Sequence, residues 1–127
     1  MKTILLSILL VCVAQTAFTQ SLAYKMATVE QQGYVSENDP MVKRFDYLLT
    51  QLDHRFEVSK EQIADMTTMG RRLLIERGIR GSMLEIMEAI IQVENPQLQY
   101  SSYVAHYANN RAIGLSHANT IIRMKGL

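Results

Sequence analysis

The stretch Ser82 to Glu94, SMLEIMEAIIQVE, sets the tightest limit on what this chain can fold into. Inside it only Glu85, Glu88 and Gln92 are polar, and they fall at i, i+3 and i+7. At about 3.6 residues per turn those three form one narrow stripe and leave the rest of the helix apolar. Such a helix needs neighbours on nearly every side, so it is expected to be the central helix of a small bundle. Ser82 with Glu85 three residues on reads as a capping box at its start. Asn95-Pro96 is expected to end it, because a residue before proline avoids helical angles.

The chain begins differently. Met1-Lys2 is a short positive start, Ile4 to Ala14 is apolar apart from Ser7, and Gln15, Thr16, Thr19 and Gln20 follow. That is the layout of a secretory signal peptide with cleavage after Ala14 or Thr19, and it points to a secreted or periplasmic protein. The apolar run falls short of the roughly 20 residues that span a bilayer, so no membrane span is expected in the mature chain. Val11 before Cys12 is a poor fit to a lipoprotein signal. Cys12 is the only cysteine, so the mature chain is expected to have no disulfide and no thiolate chemistry. Of the 13 Lys and Arg, Lys2 falls in this leader, which leaves twelve to balance the 12 Asp and Glu. A balanced, exported chain excludes nucleic acid as a partner, since that function shows a strong basic excess.

The 127 residues suit one domain. Residues 1–19 read as signal peptide, 20–37 as a flexible, polar and aperiodic arm, and 38–127 as the bundle. Asp39-Pro40 opens a first helix whose face is Val42, Phe45, Leu48, Leu49 and Leu52, with Phe56 one turn on. Ser59 and Gln62 form a capping box for the next, with Val58 and Ile63 as its staple. Ile63, Met66, Gly70, Leu73 and Leu74 follow at helical spacing, and Gly78-Ile79 fits a Schellman ending. Gly70, costly in a helix interior, is expected to mark a close neighbour. Gln97 to Lys125 reads as a last helix with a small-residue seam at Leu98, Ser101, Ala105, Ala108, Ala112 and Leu115. A break at Asn109-Asn110 is an open alternative. With no strand-like alternation after the leader, the class is all-α, a bundle of four or five short helices.

Candidate chemistry is sparse. Met66 and Met69, with Met83 and Met87, put two thioether pairs on neighbouring helices, a pattern that suits Cu(I); core filling is the preferred reading. Glu85 and Glu88 are carboxylates one turn apart, which cannot flank a substrate bond by themselves; a small hydrolase using Glu88 would need a second carboxylate from another helix. His106 and His117 are eleven residues apart, roughly 16 Å on a straight helix, too far to share one ion. Arg71, Arg72, Arg77 and Arg80 cluster where they complement a helix C-terminus. No HExxH, phosphate loop or dinucleotide fingerprint is present, and no cofactor is expected. Tyr100, Tyr103 and Tyr107 make a stripe away from the small-residue seam, which fits a bundle edge or a partner surface. Arg111 projects into the apolar arc, where it must either reach the surface along its own stem or meet a carboxylate, and Glu88 is the expected partner. The function these features favour is a non-enzymatic protein that binds a protein partner or forms a homodimer. A Met-rich copper carrier is the alternative, and a small hydrolase a lesser one.

Overall fold

The structure, a computed structural model, describes residues 21–127, so the expected signal peptide and Cys12 lie outside the described residues. Those residues form six helices and no strand: α1 Leu22–Gln31, α2 Pro40–Phe56, α3 Lys60–Glu76, α4 Met83–Ile90, α5 Tyr100–Ala112 and α6 His117–Lys125. The all-α class holds, with one or two more helices than the sequence suggested. Among the described residues no helix is long and apolar enough to cross a membrane.

α4 sits in the middle and touches all five other helices. Met83, Ile86, Met87, Ala89 and Ile90 are buried, as the near-continuous apolar surface requires. It is shorter than expected. The chain leaves it through turns at Ile91 to Val93, where the carbonyls of Ile91 and Val93 accept from the Arg55 guanidinium at the end of α2. A charged donor thus holds the carbonyls just past the helix end, and the helix stops before Pro96 is reached.

Local grammar at Asp39, Ser59 and Ser82 placed three of the six starts, while α1, α5 and α6 begin where no cap was expected. The side chains of Asp39, Ser59, Ser82 and Ser116 each accept from a backbone N–H in the first turn they cap. The Ser59–Gln62 box is complete in both directions. At Ser82 it is not. The hydroxyl accepts from Glu85 N–H, but the second acceptor comes from Glu30 on α1. The Glu30 carboxylate takes the Met83 N–H at 3.1 Å, the Leu84 N–H at 2.7 Å and the Ser82 hydroxyl at 3.0 Å. An anion at a helix N-terminus satisfies donors that have no partner within the helix and meets the positive end of its dipole.

That contact corrects the flexible arm expected over 20–37. Ser21 caps α1, Ala23, Met26 and Ala27 are buried at i, i+3 and i+4, and α1 packs chiefly on α2. Val35 is also buried, while Tyr34 beside it stands in solvent. Two alanines and a methionine bury too little side chain to stand out among polar neighbours. The segment folds because it has a cap, a small apolar stripe and a carboxylate with somewhere to go.

The last segment is two helices, and the break comes at Gly114 rather than at Asn109-Asn110. Gly114 has φ +102, a left-handed conformation that glycine adopts without a Cβ penalty. The Leu115 N–H returns to the Asn110 carbonyl at 3.0 Å, and Ser116 then caps α6. Gly78 ends α3 in the same way, with Ile79 N–H on the Leu74 carbonyl at 2.9 Å.

Candidate functional site

The two stripes on α5 face the opposite way from a partner-surface reading of the tyrosines. Tyr100, Tyr103 and Tyr107 are at most 1% exposed. Each phenol has a partner inside: Tyr100 meets Thr67 Oγ1 at 2.7 Å, Tyr103 accepts from Gln97 N–H at 3.0 Å, and Tyr107 meets His117 Nδ1 at 2.8 Å. Phe56 packs edge-on against both Tyr100 and Tyr103. A large ring with a satisfied hydroxyl is core material, and no self-association can run through this stripe while it is folded. Burial pushes the Tyr100 phenol above its ordinary range, with the Thr67 hydrogen bond opposing. Burial likewise pushes Tyr107 up to about 12, Glu85 adding to the shift and Arg111 opposing it.

Part of the small-residue flank is consequently outside, although Ala108 is buried. Ser101 and Ala105 are exposed, Leu98 is 38% exposed, and Ala112 is half-buried. Beside it runs α3. Thr67 meets Tyr100, and a Cβ on Gly70 would lie 2.5 Å from Val104 Cγ1, so the two helices advance in parallel at very close range. Gly70 does mark a close neighbour. Counting helical angles from this contact line puts Met66, Met69 and Leu73 on the side of α3 that borders Ser101 and Ala105. The cleft of about 380 Å³ that holds both Met66 and Ser101, with Leu98 and Phe56, fixes the register at one end.

Met69 is 62% exposed and Leu73 45% exposed. Leu73 and Met66 share the helical spacing of Ile63 and Leu74, which fill the core, yet the apolar stripe of α3 is wider than the core beneath it. The excess spills over the α3–α5 border as a strip of thioether, isobutyl and small side chains. Methionine suits such a surface because its flexible, polarisable chain adapts to what covers it.

The four methionines do not form one site. Met83 and Met87 are buried at 1% and 0%, and Met83 Sδ lies 3.7 Å from Thr68 Oγ1 on one side of α3. Met66 leaves α3 on the opposite side, and Met69 points to solvent, so a shared Cu(I) centre is not assembled. Among the described residues no cluster of three or more His, Cys, Asp or Glu could hold a metal ion.

Glu88 does not meet Arg111. Arg44 of α2 takes it in a two-pronged pair, Nε to Oε1 at 2.5 Å and Nη2 to Oε2 at 2.6 Å, and that hydrogen bond raises the Arg44 pKa. The pair is partly open to water, with side chains 43% and 30% exposed. A carboxylate held by a guanidinium is a poor general base, and the second carboxylate that a hydrolase needs is replaced here by a cation. Arg111 turns instead to the Leu115 carbonyl at 2.9 Å and closes the turn between α5 and α6. The cation near the end of α5 suits its dipole, which gives the residue a structural role. Asn110, buried beside it, accepts from Arg123.

The arginines at the end of α3 are likewise dispersed. Arg71 lies half-buried along a cleft of about 720 Å³ between α1, α3 and α4, while Arg72, Arg77 and Arg80 are exposed. The helix N-terminus that opens into that cleft is already taken by Glu30. Sequence reasoning missed Glu30, Arg44 and Arg55, whose partners lie 36 or more residues away. Nothing local signals them.

No family model, curated protein or solved structure matches the chain.

Proposed function

We propose that this is an exported, non-enzymatic helical protein that binds a protein partner through the α3–α5 border. The leader-like start of the sequence supports export. The observation that carries the binding role is Met69 and Leu73, both large, apolar and substantially exposed, on the side of α3 that helical projection turns toward exposed Ser101 and Ala105. Small residues let a second backbone approach, and flexible apolar ones fill the space around it. This is how a groove receives a helix or an extended segment. Scattered exposed apolar residues are ordinary, but a run aligned along one helix border is the arrangement that a partner buries.

The test places a photo-crosslinking side chain at Met69 of the full chain in the cells that express it. Protein adducts at Met69, and none from the same side chain at Lys43, exposed on α2, are the expected result. No adduct at Met69, or equal adducts at Lys43, would overturn the reading.

A further inference from the structure

The outer face of α3 is self-complementary in charge about Met69. Glu61 and Asp65 precede that residue, while Arg72 and Arg77 follow it, and all four are exposed. Asp65 lies four residues before Met69 and Arg72 three residues after it. That is about 6 Å and about 5 Å along the helix axis in opposite directions, and both project to the same flank of the helix. The neighbouring flank of α5 carries no charge, only Ser101, Ala105 and Ala112.

We propose that the partner is a second copy of this chain, docked antiparallel through α3 with a two-fold axis at Met69. The inference rests on the reading of the α3–α5 border as a protein-binding face. In this arrangement Asp65 comes beside Arg72 of the second copy, because both project to the same flank of Met69. The two-fold axis makes this pair occur twice. Glu76, the one acid in the basic half, falls opposite the neutral Gln62 and meets no like charge. Parallel docking would set Asp65 against Asp65 and Arg72 against Arg72. A partner that is acidic or basic throughout would be repelled by one half of the helix. Burial of Met69 and Leu73 supplies the attraction, and the rim charges set direction and register more than affinity.

Sedimentation of the full chain over a concentration series should show a monomer–dimer equilibrium. Asp65→Arg or Arg72→Asp alone should weaken it at least tenfold, and the double exchange Asp65→Arg with Arg72→Asp should restore it. In a Cys12→Ser background, Met69→Cys should give a disulfide-linked dimer on mild oxidation, and Glu61→Cys, far from the axis, should not. A double exchange no better than either single variant overturns the proposal. So does a monomer at every concentration. If Met69 still yields adducts with a different protein, self-pairing falls and the protein-binding role stands. With neither dimer nor adduct, both fall.

Discussion

Thr67 and Tyr100, on parallel helices and 33 residues apart in sequence, meet hydroxyl to hydroxyl at 2.7 Å in a site closed to water. The direction of the bond follows from counting protons. Thr67 Oγ1 already donates to the Ile63 carbonyl at 2.7 Å, so Tyr100 is the donor to Thr67. Thr67→Val therefore strands a buried phenolic O–H, at a cost of about 1–3 kcal/mol. Tyr100→Phe removes the donor together with its need for a partner and should cost about 1 kcal/mol or less. Urea unfolding of both variants checks the order. Equal losses would mean that the phenol finds another acceptor.

Gly70→Ala should destabilise by about 1–3 kcal/mol, although alanine favours a helix, because its Cβ has no room against Val104. In a Val104→Ala background the same change should be neutral or stabilising. Thermal melts of the four proteins decide whether close approach of α3 and α5 is the cause.

Glu30→Ala should cost about 1.5–3 kcal/mol, since hydrogen bonds to a charged acceptor and a helix-dipole contact are lost together. Backbone amides of α1 should then exchange faster with deuterium than those of α2. Unchanged exchange would show that Met26 and Ala27 hold α1 without the carboxylate.

A double-mutant cycle on Arg44 and Glu88 should give coupling of about 0.5–1 kcal/mol, falling as salt is added, as for a pair partly open to water. The same cycle on Arg111 and Glu88 should give none. Substantial coupling in the second cycle would contradict the placement of Arg111 on the Leu115 carbonyl.

Alkaline stability follows from the buried phenols. Tyr100 and Tyr107 have folded pKa values raised above the unfolded value of about 10, so the native state holds these protons longer. Their contribution is complete below about pH 10 and is lost as pH rises through the folded values. For Tyr107 the loss falls between pH 10 and about 12. Each group steepens the decline by at most about 1.4 kcal/mol per pH unit. Tyr107→Phe should flatten the curve in that window. A wild-type curve level to pH 12 would show that the ring ionises freely in the fold.

Features whose cause is local were legible in the sequence. The central helix, the Ser59–Gln62 box and the Gly78-Ile79 ending each need only a few neighbouring residues. The Gly114–Leu115–Ser116 break carries the same kind of local signals, with the asparagine pair upstream as a competing one. The tyrosine and small-residue stripes on α5 show why periodicity is insufficient. It gives the angle between two faces and leaves open which face turns inward. Side-chain volume and distant hydrogen-bond partners such as Thr67 and His117 decide that. Glu30 and Arg44 were invisible because a lone charged residue gives no clue to a partner 44 or more positions away. The exposed strip on α3 was hidden among residues that share its spacing with the core.

α4 is eight residues long, too short to be helical in isolation, and it is in contact with every other helix. Its existence is conditional on all of them. Peeling away any one helix uncovers part of it, and losing it leaves the other five without a common floor. The bundle is thus expected to melt as one cooperative unit, with no stable fragment left for a protease to trim, even though no crosslink among the described residues enforces this.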